Sequence, residues 1–138
     1  MSNEHLSEKV SVNINTSTLS GIDLLVDNGY YSNRSDFINQ ALRQSLQQHQ
    51  NTLDRIIESQ QKAHRENDDQ WFIGVCGLEK LEIEADRAAG KKRTVRGYGV
   101  LVIGSEVDEE ALFEVVEAIQ VRGKVICRKS IKAHYGLK

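Results

Sequence analysis

Proline is absent from the 138 residues, tryptophan and methionine occur once each, and cysteine occurs twice. Each scarcity excludes something. The two thiols, Cys76 and Cys127, do not make a disulfide framework, so buried thiols in a cytoplasmic protein are the expectation. No apolar run approaches the roughly 20 residues that a bilayer span needs, and no membrane partner is expected. The opening stretch MSNEHLSEK is polar and acidic, and does not read as a signal peptide. The formal net charge is −2, which is not the balance of a non-specific nucleic-acid coater. Neither proline nor glycine lies between Gly29 and Gly74, so no breaker interrupts a helix there.

What is present begins at Lys9. Val10, Val12 and Ile14 alternate with Lys9, Ser11, Asn13 and Asn15, the period of a strand with one buried face. Leu19, Ile22, Leu25 and Val26 then follow a helical period, from about Ser17 to the stop at Asn28-Gly29. A second helix is expected to open at Asn33, a good N-cap with Asp36 three residues on. Its apolar stripe is Phe37, Ile38, Ala41, Leu42 and Leu46. Forty residues of this kind bury little surface alone, and a lone strand has two unpaired edges. Pairing of the strand with its copy in a homodimer satisfies both needs.

The polar/apolar strand, the run Gly29-Tyr30-Tyr31-Ser32-Asn33-Arg34-Ser35-Asp36 and the stripe after it resemble the ribbon-helix-helix proteins of the Arc/MetJ/CopG type, which bind DNA. The resemblance covers about the first third of the chain. It implies that Lys9, Ser11 and Asn13, on the outward face of a two-stranded ribbon, contact base edges in the major groove, where lysine suits guanine and asparagine suits adenine. It further implies that the start of the second helix clamps a DNA phosphate, with Asn33, Arg34 and Ser35 as the contact residues. Amides at a helix N-terminus favour anions whatever the family. A solvated strand face and a simple capping motif are the plainer readings of the same residues.

Residues 1–8 are expected to form a mobile arm. Within 1–50, three basic residues (Lys9, Arg34, Arg43) stand against five acidic ones (Glu4, Glu8, Asp23, Asp27, Asp36), so phosphate attraction there is modest. Basic density lies later, in Lys91-Lys92-Arg93 and in Arg122, Lys124, Arg128, Lys129 and Lys132. These clusters read as solvated faces or as added phosphate contacts. Leu42, Leu46, His49, Leu53, Ile56, Gln60 and Ala63 fall four and three apart, a heptad-like seam on one long helix or two in line. The polar run 62–70 marks a boundary.

Beyond it, Trp71 to Gly77 reads as a short strand or buried loop. Leu78 to Ala89 reads as a helix with Leu78, Leu81, Ala85 and Ala88 on one side. Arg96 to Ile103 reads as a strand, Ser105 to Ile119 as a helix, Val121 to Cys127 as a strand, and Ser130 to Tyr135 as a helical turn ended by Gly136. The strand–helix–strand order favours parallel pairing. Val95-Arg96-Gly97 recurs as Val121-Arg122-Gly123, though two copies are too few to claim a solenoid. Gly97, Gly99 and Gly123 admit close approach of another backbone or a ligand, or are plain strand-start glycines.

No nucleophile elbow, phosphate loop, dinucleotide fingerprint or paired-cysteine motif occurs. The family includes a nickel-responsive repressor with a C-terminal α/β sensor domain, but its closely spaced histidine and cysteine ligands are missing here. His49, His64, Cys76, Cys127 and His134 converge only if the fold or a dimer brings them together. No catalytic residue, metal or cofactor is assigned, and an enzyme is not expected.

The expected fold is α+β. Residues 1–50 form a ribbon-helix-helix domain that dimerises, 51–70 a helical linker, and 71–138 a small α/β module with a βαβ unit for oligomerisation or an effector. The expected function is a sequence-specific transcriptional regulator, a repressor, bound to double-stranded DNA as a homodimer or higher homo-oligomer. The alternative is an antitoxin or partition-type factor whose residues 71–138 bind a partner protein. A third reading is a small-molecule-binding module whose head only dimerises.

Overall fold

The computed structural model describes residues 7–67 and 69–138; the expected arm at 1–8 lies mostly outside them. The chain divides into two compact units, one covering 7–56 and the other 57–138 among the described residues.

The first unit holds an extended segment, two helices and the start of a third. Among the described residues, 8–15 lie in no strand pairing, and all of them are exposed. A strand forms only where a neighbour meets its N–H and C=O groups. Helix α1 (Thr16–Asp27) starts where the Asn15 side chain accepts the Ser17 N–H at 2.9 Å. It ends in a glycine cap: Gly29 adopts φ 82°, its N–H meets the Val26 carbonyl, and the Tyr30 N–H meets that of Leu25. Helix α2 (Arg34–Gln48) and helix α3 (Gln50–Glu66) are separated by His49 alone.

The second unit repeats a strand and a helix three times. Strand β1 (Gln70–Leu78) leads to α4 (Lys80–Ala88), β2 (Arg93–Ile103) to α5 (Glu109–Val115), and β3 (Val116–Ile126) to α6 (Lys129–Tyr135). The strands form one parallel sheet in the order β1-β2-β3. Phe72 and Leu78 of β1, Val95, Leu101 and Ile103 of β2, and Ile119 and Val125 of β3 share one side of the sheet. They pack in one core with Ile83 of α4, Ala111, Leu112 and Val115 of α5, and Ile131 of α6. All three helices therefore cover the same face. Trp71, Ile73 and Val75 of β1 point the other way, as do Arg96 and Tyr98 of β2 and Arg122 and Lys124 of β3. That face is open enough to leave Ile73 49%, Val75 58% and Tyr98 52% exposed.

The register puts Gly74, Gly99 and Gly123 side by side, each with positive φ (102°, 126° and 142°). A Cβ on Gly99 would lie 2.0 Å from the Gly74 carbonyl oxygen, and one on Gly123 would lie 2.0 Å from that of Gly99. The close approach expected at Gly99 and Gly123 is thus an approach of neighbouring backbone. At Gly97 the neighbour is the Phe72 ring, 2.5 Å from where a Cβ would stand.

Three expectations fail locally. The helix read as ending at Ile119 stops at Val115, and β3 begins at Val116. The β-branched Val116 and Ile119 suit either pattern, and burial against the sheet decides for strand. In α4 the expected apolar side is wrong: Leu81 is 80% exposed, whereas Ile83 is 1% exposed. The helix starts later than its pattern implies, because Leu78 closes β1. Finally, β2 begins at Arg93 rather than Arg96. Arg93 is drawn inward, donating to Gln70 at 2.6 Å and Glu82 at 2.7 Å and pairing with Asp86.

Candidate nucleic-acid interface

Lys9, Ser11 and Asn13 all lie in the extended segment 7–15, exposed and upstream of the α1 cap. Val10 and Val12, their apolar alternates, are 76% and 71% exposed. In the whole of 7–56, Ile22 is the one buried residue. Leu24, Leu42 and Leu46 add more uncovered apolar surface. A unit this size with one buried side chain lacks the core to hold its fold alone.

The start of α2 is built by reciprocal capping. The Asn33 side-chain oxygen accepts the Asp36 N–H at 2.8 Å, and the Asp36 carboxylate accepts the Ser32 N–H at 3.0 Å. Gln40 donates to the other carboxylate oxygen at 2.9 Å. The Ser32 N–H first, and Gln40 next, hold the Asp36 carboxyl below its ordinary 3.8. The cap engages the third amide of the helix, while those of Arg34 and Ser35, in the first turn, have no acceptor within the helix. The two sequence-derived positions thus bring to one helix end a pair of amides and the Ser35 hydroxyl.

The Arg34 side chain goes elsewhere. Its guanidinium meets Asp23 of α1 in a two-pronged pair, Nε to Oδ1 at 2.7 Å and Nη2 to Oδ2 at 2.8 Å. Hydrogen bonding from Arg34 lowers the Asp23 carboxyl from its ordinary 3.8. Sequence reasoning missed Asp23, because a pair 11 residues apart across a turn leaves no periodic signal. It also read Asn15 as a strand residue, although an asparagine before Thr16-Ser17 is an N-cap signature.

The later basic clusters divide. Arg93 is committed to the acidic residues of α4, and Arg128 donates to the Val107 carbonyl and pairs with Glu109 at 3.6 Å. Arg122 and Lys124 stand on the open face of the sheet. Lys91 and Lys92 line a shallow depression with Arg65. The scattered histidines and cysteines do not gather: among the described residues, no group of three His, Cys, Asp or Glu side chains is placed to hold a metal ion. His64 stacks on Trp71 and His134 on Phe113. Burial pushes the Cys76 and Cys127 thiols up, away from the reactive thiolate form. Among the described residues, no helix is long and apolar enough to cross a membrane.

No curated protein and no solved structure matches the chain. A family model does match it, over residues 5–132, and so extends far past the strand–helix–turn–helix pattern into the second unit. With that span, and with the capped helix pair in place, the chain belongs to the Ribbon-Helix-Helix transcriptional regulator family.

Proposed function

We propose that two copies of the chain join their residues 9–14 as an antiparallel ribbon and read operator DNA through the major groove as a repressor. The observation that carries this reading is the state of the first unit. Val10, Val12, Leu24, Leu42 and Leu46 are uncovered in one chain, and a two-fold partner supplies the missing cover. In the paired ribbon, Lys9, Ser11 and Asn13 share the face opposite Val10, Val12 and Ile14 and meet base edges. The Arg34 and Ser35 amides and the Ser35 hydroxyl hold a backbone phosphate, which fixes register without reading sequence. Asn33 holds that helix end open, and the Arg34 guanidinium ties α2 to α1. The protein works in the cytoplasm without enzymatic activity, and its two-fold symmetry calls for a pseudo-palindromic site.

The folded second unit supports an oligomerisation or effector module over an antitoxin tail, since such tails are polar and unfolded until bound. Fluorescence anisotropy against fragments of the protein's own promoter region, with scrambled DNA as competitor, tests the assignment. Selective binding that survives the competitor is the expected result. A folded dimer without selectivity removes the DNA-reading claim.

A further inference from the structure

The glycine ladder has a direction, and both of its ends are open. The Gly74 carbonyl fills the space where Gly99 lacks a side chain, and the Gly99 carbonyl does the same for Gly123. At the β1 edge, the space beside Gly74 in the Cβ direction holds no atom within 4 Å. At the β3 edge, the Gly123 carbonyl is the last of the row. One end of the sheet therefore presents an unfilled notch, and the other presents the group that fills such a notch twice within the chain.

The β1 edge carries a second, independent sign. Sheet edges are normally blunted by charge, proline or a covering element. Strand β1, QWFIGVCGL, has nine residues and neither a charge nor a proline, and among the described residues no strand pairs with its outer edge. Ile73 and Val75 lie half-exposed beside it. Strand β3 carries Arg122 and Lys124 at the matching positions, and their aliphatic stems can cover such neighbours while the charges stay in water.

We propose that the β3 edge of one chain stacks on the β1 edge of a second copy, parallel and in the register of the existing sheet, with Gly123 beside Gly74. The junction repeats what β1 makes with β2 and β2 with β3. Gln120 then neighbours Trp71 of the second copy, Arg122 neighbours Ile73, and Lys124 neighbours Val75. The contact is head-to-tail, so it joins successive copies either into a closed ring or into an open row. The inference deepens the oligomerisation reading of residues 71–138 and rests on it, but not on recognition of DNA.

A cross-link tests the register. Ile73→Cys and Arg122→Cys are placed together in a full-length chain whose Cys76 and Cys127 are alanine. Within one chain the two positions are two strand spacings apart, about 9–10 Å, too far for a disulfide; across the junction they are direct neighbours at about 5 Å. Oxidation should give a ladder of covalent dimers, trimers and larger species, lost on reduction. Each single variant should stay uncross-linked. A covalent dimer from Ile73→Cys alone would mean that β1 pairs with β1, and would overturn the head-to-tail arrangement. No ladder from a double variant whose circular dichroism and melting match the unmutated chain overturns the stacking. Sedimentation of the unmutated chain without DNA gives a second arm: species beyond the dimer should grow with concentration, and a dimer unchanged across the series counts against the proposal. Operator binding by the cross-link variants is measured separately, so loss of stacking and loss of DNA recognition are told apart.

Discussion

Arg34 and Asp23 clasp across the turn between α1 and α2, the guanidinium nitrogens 2.7 and 2.8 Å from the two carboxylate oxygens. Both side chains are exposed, yet the paired geometry is the strong form of such a contact. In a double-mutant cycle, Arg34→Ala and Asp23→Ala should couple, with the double variant losing less thermal stability than the two singles together. Asp23 is held below its ordinary 3.8, so its contribution is present above that value and fades as pH falls through the lowered one. The coupling should vanish at acid pH, and additivity of the two singles at neutral pH would refute the clasp.

Asn13→Ala should lower operator affinity by about 1–3 kcal/mol, the scale of one base contact, and leave binding to scrambled DNA unchanged. Unaltered discrimination between operator and scrambled DNA would remove Asn13 as a reader. Ser35→Ala should instead weaken binding to both sequences alike, because a phosphate contact carries no sequence information.

Asn33→Ala removes the acceptor for the Asp36 N–H. Loss of such a cap costs about 1 kcal/mol, readable in chemical denaturation. Asn33→Ser, which keeps a capping oxygen, should recover most of it.

Gly99→Ala would place a methyl group 2.0 Å from the Gly74 carbonyl oxygen, at a backbone φ of 126°. Clash and strained backbone together should destabilise the second unit by about 3 kcal/mol or more. Denaturation followed by the single tryptophan, Trp71 in β1, reads this directly. A substitution tolerated without loss would contradict the ladder.

Tyr135 donates its hydroxyl to the Val116 carbonyl at 2.7 Å, with the Leu112 carbonyl at 3.3 Å. Burial pushes its ionisation from 10 up to about 12. Because the folded state favours the neutral phenol, the contribution is complete below pH 10 and is lost as pH rises from 10 through about 12. Alkaline absorbance titration should show one late tyrosine, absent in Tyr135→Phe. That variant should cost about 1 kcal/mol at neutral pH.

Much was legible along the chain because the signals are local. Caps, glycine stops and the 3.6-residue period place α1 and the start of α2, and the strand–helix–strand order announces a parallel sheet. The candidate positions Asn33, Arg34 and Ser35 stand at that same cap. What misled was also local: Val116 and Ile119 fit a helix as well as a strand, and Leu81 fits a stripe that begins one element too early.

The sequence by itself determined the helix pair, its capped entry and the alternating segment before it, since each depends on neighbours within a few residues. Only tertiary structure decided that Asp23 receives Arg34, that Ile83 rather than Leu81 goes inward, and that three glycines 25 and 24 residues apart fall into one row. Those outcomes depend on which backbones lie side by side. In the second unit that is fixed by burial of one core, and between α1 and α2 by the turn that brings the two helices together, not by spacing along the chain.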